Sequence, residues 1–330
     1  MTNFLKQHRT AFIIILILIL MIGIIYLPAI PSYYQKHHPS AKIDIYEINK
    51  YYQHIGIKNC GSKGNALLYY IADNSLYLSN DKNSFNDEPL LEDVTMADIT
   101  TNENGDTIIC ALSVFGKMQT YLYSDGEAKP VDDYSDRIPD QENIYLCTAL
   151  RNVVCAVSEN YLLYDNGTDQ IVLNLKDLME NDARISKLTA SEMCVALLSS
   201  DGNFCYLDME NDSCIKRTNI ADICLKGKIY CYTIDKNGMA EIIPKGSEYD
   251  LNCTDGTPQK IEAGDYSPVA LSSGELYGYK GNFSGRFGLI MDNFPSIIEK
   301  NNLEHIDDFY VTQDRDTVLL ICNDKAYVVS

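Results

Sequence analysis

Ser213-Cys214-Ile215-Lys216 has the spacing of S-x-x-K, the arrangement that sets a lysine beside a serine nucleophile in penicillin-recognising enzymes. That chemistry needs the serine at a helix start, with S-D-N and K-T-G partners elsewhere. Here the four residues read as an outer strand, and both partners are missing. No G-x-S-x-G elbow is present. The glycine-rich stretch GYKGNFSGRFG at 278–288 fits neither G-x-G-x-x-G nor the P-loop, and it leads into no helix. Hard cations want several oxygens from one loop, which directs attention to NENGD at 102–106, DMEND at 208–212 and DKNG at 235–238. None completes the calcium-loop pattern, so these segments read as solvated turns. Of five histidines, His8, His37 and His38 flank an apolar segment, leaving His54 and His305 in the body, too few for a metal set. The 11 cysteines contain no CxxC pair, and an odd number cannot pair completely within one chain. Cys110, Cys147, Cys155, Cys194, Cys224, Cys231 and Cys322 lie in apolar runs, as reduced core thiols do. Sequons at Asn166, Asn211, Asn252 and Asn282 matter only in a glycosylating pathway. No set of residues qualifies as catalytic, cofactor-binding or metal-binding, and no binding residue can be singled out.

Charge excludes a further class. The 330-residue chain has a net charge of -19, and a phosphate backbone needs a basic footprint, so nucleic acid is not a partner. Of the 27 basic and 46 acidic residues, only Lys6, Arg9, Lys36, Lys42 and Asp44 precede residue 46. The remainder carries 23 against 45, a net of -22.

The elements that would position any site begin with FIIILILILMIGIIYL at 12–27, inside a segment from Thr10 to Gln35 without a charged residue. About 20 such residues span a bilayer core. The run exceeds the core of a secretory signal and lacks a small-residue cleavage site, which favours an uncleaved anchor over a cleaved signal. The expected organisation is a short cytoplasmic tail at 1–10, a transmembrane helix at 11–31, a juxtamembrane linker at 32–41 and a soluble domain at 42–330. Lys6 and Arg9 on the shorter flank favour the amino terminus inside and the domain outside, though Lys36 and Lys42 tie the basic count. The cysteines pull the other way, because an oxidising exterior would tend to pair them.

The body repeats itself. ALLYYIADNSLYLSND from 66, TIICALSVFGKMQTYLYSDG from 107, NVVCAVSENYLLYDNG from 152 and MCVALLSSDGNFCYLDMEND from 193 share one plan. KIYCYTIDKNGMAEIIP from 228, PVALSSGELYGYKGN from 268 and TVLLICNDKAYVVS from 317 continue it. Each is an apolar strand, a polar turn and a second strand that usually bears tyrosine. The spacing of roughly 35–50 residues is that of propeller blades. Residues 170–175 and 213–217 suit outer strands, 144–148 and 220–225 inner ones, and NLKDLMENDARI at 174–185 a short helix. The continuous apolarity of the first strands suits burial on both faces. Many of the 24 tyrosines sit at alternating strand positions, where packing between blades accounts for them. KIDIYEI at 42–48 could complete the last blade and close the ring.

These residues resemble seven-bladed β-propellers, and the whole chain looks like a bacterial membrane-anchored propeller with degenerate TolB- or WD40-like repeats. The chain has no tryptophan, so the WD dipeptide, the YWTD box and the docking motif of quinoprotein propellers are absent, as is the Kelch double glycine. The fold class expected is therefore all-β, a seven-bladed propeller behind one N-terminal transmembrane helix. The function expected is non-enzymatic: a tethered propeller presenting a binding or scaffold surface to an envelope protein, peptide or glycan, with no cofactor and the lipid bilayer engaged through the helix. The alternative is an extracytoplasmic hydrolase, such as a glycosidase, whose carboxylates converge on the channel.

Overall fold

The computed structural model describes residues 43–330 apart from 50, 61–64, 81–83, 103, 180–182, 252, 254–255, 264–267, 279–302, 304, 313–316 and 330. The segments 1–10, 11–31 and 32–41, most of 278–288 and the sequons at Asn252 and Asn282 lie outside the described residues. Among the described residues no helix is long and apolar enough to cross a membrane.

Strand β1 (Ile43–Glu47) precedes seven antiparallel sheets that follow one another in sequence. Blade 1 is β2 (His54–Cys60), β3 (Asn65–Ala72) and β4 (Ser75–Leu78). Blade 2 is β5 (Val94–Thr101), β6 (Thr107–Ser113), β7 (Met118–Ser124) and β8 (Glu127–Asp133). Blade 3 is β9 (Leu146–Leu150), β10 (Val153–Val157), β11 (Tyr161–Asp165) and β12 (Gln170–Asn174), followed by the single helical turn α1 (Leu175–Leu178). Blade 4 is β13 (Ile185–Ala190), β14 (Cys194–Ser199), β15 (Phe204–Asp208) and β16 (Ser213–Arg217). Blade 5 is β17 (Ile220–Lys226), β18 (Tyr230–Asp235), β19 (Met239–Ile243) and β20 (Ser247–Asp250). Blade 6 is β21 (Lys260–Ala263), β22 (Pro268–Ser272) and β23 (Glu275–Gly278). Blade 7 is β24 (Asp308–Val311), β25 (Val318–Cys322) and β26 (Lys325–Val329).

All seven repeats therefore become blades. Strand β1 pairs antiparallel with β26, from Ile43 opposite Val329 to Glu47 opposite Lys325, and supplies the outer strand of blade 7. The first strands of the blades contact one another in a closed cycle, β2 to β5, β9, β13, β17, β21, β24 and back to β2. This is a ring of seven blades with the first strands innermost.

The second strand of each blade explains why apolar runs are needed. Every residue of β10, β14, β22 and β25 is buried, because both faces of these strands meet a neighbouring blade. Apolar layers fill the seams between blades: Val157, Leu162 and Val195 between blades 3 and 4, Leu198, Phe204 and Ile223 between 4 and 5, and Tyr46, Ile55 and Leu319 between 7 and 1. Turn chemistry sets the hairpins. Asp73 and Asn74 both take positive φ between β3 and β4, as do Asn323 and Asp324 between β25 and β26, which fits two-residue hairpin turns. Gly202 has φ +92°, and a Cβ there would lie 2.9 Å from the Ile220 carbonyl of the next blade.

Two expected elements shift. The inner strand of blade 3 begins at Leu146 rather than Ile144, because the Ile144 N–H is drawn to the Gly116 carbonyl of blade 2 at 2.9 Å. The helix expected over 174–185 shortens to one turn. Asn174 caps it by accepting from the Lys176 N–H at 2.9 Å, and Ile185 already belongs to β13.

Candidate functional site

A cavity of about 750 Å³ occupies the axis and is lined by residues of all seven innermost strands. Antiparallel alternation puts every turn between a first and a second strand at the same end of the ring. Asn102, Arg151, Glu192 and Lys228, from those turns in blades 2, 3, 4 and 5, line the cavity and mark its mouth.

Three lysine–aspartate pairs bridge blades around the channel, each with the lysine on the earlier blade. Lys58 of blade 1 lies 3.1 Å from Asp98 of blade 2. Lys187 of blade 4 lies 2.8 Å from Asp222 of blade 5, and Lys260 of blade 6 lies 2.9 Å from Asp308 of blade 7. The aspartates also hold backbone. Asp98 Oδ2 accepts from the Ala149 N–H of blade 3 at 3.0 Å and from the Thr148 hydroxyl at 2.8 Å, while Oδ1 accepts from the Ile99 N–H at 3.0 Å. Asp222 accepts the Ile261 N–H of blade 6 at 2.7 Å, and Asp308 the Phe309 N–H at 2.8 Å. Burial works against the charge on Asp98, but Lys58 and the bonds from Ala149 and Thr148 outweigh it and hold its carboxyl below the usual range. Burial likewise opposes the Lys187 charge, and Asp222 outweighs it, leaving that ammonium's pKa raised.

Glu262 behaves differently. It faces the cavity from β21, and the nearest cation, Lys260 Nζ, is 3.6 Å from its Oε1. Burial raises its pKa, and Lys260 and Lys187 do not offset that. Tyr69 reaches the channel from β3 by lying over Gly56, directly opposite it in the sheet; its hydroxyl is 3.4 Å from Asp98 Oδ1. A Cβ at position 56 would fall 2.4 Å from the Tyr69 ring. His54 lies beside this group, its pKa lowered by burial.

Tyrosines brace the mouth. The Tyr164 hydroxyl of blade 3 donates to the Glu192 carbonyl of blade 4 at 2.9 Å, and the Tyr206 hydroxyl of blade 4 donates to the Ile229 carbonyl of blade 5 at 2.6 Å. Burial pushes the Tyr164 hydroxyl up to about 12. The Lys228 ammonium pairs with the Glu192 carboxylate across the same seam. The tyrosines expected between blades are there, and these two also fasten the next blade's turn.

The residues singled out by motif do not meet. Ser213–Lys216 belong to β16, at the outer edge of blade 4. Asp208 of the DMEND turn accepts from the Glu210 and Asn211 N–H groups, at 3.0 and 2.9 Å. Asp235 of DKNG accepts from Asn237 and Met239, and Asn102 of NENGD from Asn104 and Asp106. These are turn-closing side chains. Asn166 closes a turn in the same way, accepting from Thr168 and Asp169. His305 is exposed, 3.8 Å from Asp307. Among the ten cysteines whose side chains are described, which leave out Cys60, only Cys214 is exposed.

Sequence reasoning missed the channel ladder. Its one signal was the tripeptide Ala-Asp-Ile, present at 97–99 and 221–223, with Asp-Asp-Phe at 307–309. An acid inside an apolar inner strand has a reason to be there only if something across the ring answers it.

The arrangement is that of a seven-bladed β-propeller, and solved structures agree. The chain is similar to a streptogramin B lyase structure at a TM-score of 0.55 and 10% identity, over 89% of this chain and 99% of that one. It is also similar to the β-propeller domain of Cps50 (Swd1) from Myceliophteria thermophila, at a TM-score of 0.54 and 9% identity, over 86% and 96% of the two chains. At such identities the likeness is one of fold. No protein-family model matches the sequence, and a search among curated proteins finds no relative.

Proposed function

We propose that this propeller is a non-enzymatic binding module, tethered to a membrane through residues 11–31 with its amino terminus in the cytoplasm, that presents the mouth of its axial cavity to an envelope partner of protein, peptide or glycan nature. One observation supports the binding role above the others. The three lysine–aspartate pairs of the channel are committed to joining blades, while the mouth turns of blades 4 and 5 are braced by Tyr164, Tyr206 and the Glu192–Lys228 pair. A mouth held in one shape loses little entropy when a partner docks.

The test is capture from native membranes with the full chain, wild type against Arg151→Glu/Lys228→Glu. A partner retained by wild type and lost by the variant, at equal melting temperature, supports the reading. Equal capture by both overturns the mouth as the docking surface. The side of the membrane is tested by labelling intact cells with an impermeant maleimide after mild reduction, because Cys214 Sγ lies 3.1 Å from Cys205 Sγ. Labelling that a Cys214→Ser variant loses supports the extracytoplasmic placement, and labelling only after membrane breach reverses it.

A hydrolase is the second reading, and Glu262 is what favours it, since a raised carboxyl suits a general acid. A glycosidase needs a second carboxylate acting on water or sugar. Asp222 and Asp308, the neighbouring acids, are each engaged by a lysine and a backbone N–H. Release of nitrophenol from aryl glycosides by wild type but not by Glu262→Gln would favour this reading over the first.

A further inference from the structure

We propose that the axial cavity binds a ligand carrying a protonated primary amine, seated on the Glu262 carboxylate. The proposal rests on the cavity being a binding site and names the chemistry it selects.

Charges taken out of water are tolerated in compensated sets. Lys58 and Asp98, Lys187 and Asp222, Lys260 and Asp308, and at the mouth Lys228 and Glu192, match one for one, and Arg151 adds a cation at the mouth. On the blade 6 side of the channel Glu262 has no lysine of its own. Lys260 is 2.9 Å from Asp308 but 3.6 Å from Glu262, beyond hydrogen-bonding reach, and its ammonium sits 3.1 Å from the centre of the Tyr310 ring. The groups facing Glu262 are Lys187 from β13, Asp222 and Cys224 from β17, Lys260 on its own strand, and Asp308 and Tyr310 from β24. With Glu262 included, two cations stand against three carboxylates. The Glu262 side chain nonetheless keeps 18% of its surface accessible and lines the cavity.

Such a carboxyl is satisfied by a proton or by a cation arriving from outside. A metal ion wants several protein ligands, and among the described residues no group of three or more His, Cys, Asp or Glu is placed to hold one. An ammonium brings the single charge that is missing, with donors for Glu262. The space suits a small organic ligand, and Leu188, Ile223 and Val311 offer apolar wall to an aliphatic stem. The acidic body draws cations toward it. Burial raises the Glu262 pKa in the free protein, so a bound amine competes with a proton for the carboxylate. The amine can belong to a free small molecule or to a lysine side chain of a peptide partner.

Calorimetry on the full chain in detergent separates these cases, using n-butylammonium, n-butanol and the blocked tripeptides Gly-Lys-Gly and Gly-Gln-Gly as probes. Saturable binding of n-butylammonium with proton release, tightening by up to about tenfold per pH unit while Glu262 is protonated in the free protein, supports a free amine. Binding of Gly-Lys-Gly without n-butylammonium or Gly-Gln-Gly supports a lysyl peptide. In either case Glu262→Gln should weaken the amine at least about tenfold, which is one unit of lost charge selectivity. Undiminished amine binding by Glu262→Gln, or no amine binding at all, overturns the proposal. Equal affinity for butanol and butylammonium overturns the amine while leaving the cavity a binding site. Loss of the native partner on mutating Arg151 and Lys228 would leave the docking reading standing even then.

Discussion

Asp98 and Glu262 are carboxyl groups in one channel, and the protein treats them in opposite ways. Asp98 receives a lysine, a threonine hydroxyl and two backbone N–H groups, and its pKa falls. Glu262 is equally enclosed, receives one shared lysine at 3.6 Å, and its pKa rises. Burial is common to both, so the close Lys58 charge and the hydrogen bonds decide. A carboxylate that replaces its lost water with directed donors keeps its charge, and one that does not is held for a proton or a ligand. The Asp98 side of the ring is therefore a joint between blades 1, 2 and 3, and the Glu262 side is the part with chemistry to spare.

The largest effect comes from removing the frame that makes the two differ. Deleting Ile43–Glu47 opens β26 and uncovers the seam that buries Tyr46, and is expected to abolish cooperative unfolding by circular dichroism. A deletion variant that melts like wild type would refute closure by β1.

Next is Asp98→Ala, which removes the ion pair to Lys58 and takes the acceptor from the Ala149 N–H. It should cost about 3–5 kcal/mol in urea unfolding, the usual loss on breaking a buried pair. Because the folded pKa of Asp98 is depressed, its contribution is present above the unfolded pKa and is lost as pH falls through the folded value. Wild type and variant should thus converge in acid, and a constant gap would remove the ionic account.

Glu262→Gln carries the opposite sign. A raised folded pKa means stability that is full below the unfolded value and is lost as pH rises through the folded one. The variant should match wild type in acid and exceed it in neutral to alkaline buffer, as read by urea unfolding across pH. A variant less stable than wild type there would erase the contrast. Thr148→Val takes one hydrogen bond from Asp98 and should cost about 1 kcal/mol, a small effect that measures how finely the donors are balanced.

The blades were legible in the sequence because their cause is local. Runs such as Val153–Val157 and turns such as Asp201-Gly202 carry their own instruction, and the match of 42–48 to the open blade, where β1 occupies Ile43–Glu47, followed from counting strands. The site was not legible, because its cause is distant. Lys187 meets Asp222, and Lys260 meets Asp308, across intervals that only the ring brings together. DMEND and DKNG, rich in oxygen but read as solvated turns, are legible for the local reason: their oxygens serve the turns that contain them.

The β1–β26 seam has a consequence in time. The first strand of the propeller to be synthesised finds its partner only in the last, almost the full length of the domain away. Blades 1 to 6 can pair within themselves as they emerge, but the ring cannot shut until the final hairpin is made. Until β1 pairs with it, β26 keeps an open edge where β1 should lie. Closure is thus a late, long-range step, of the kind that is slow and open to interception by a chaperone or by a second nascent chain.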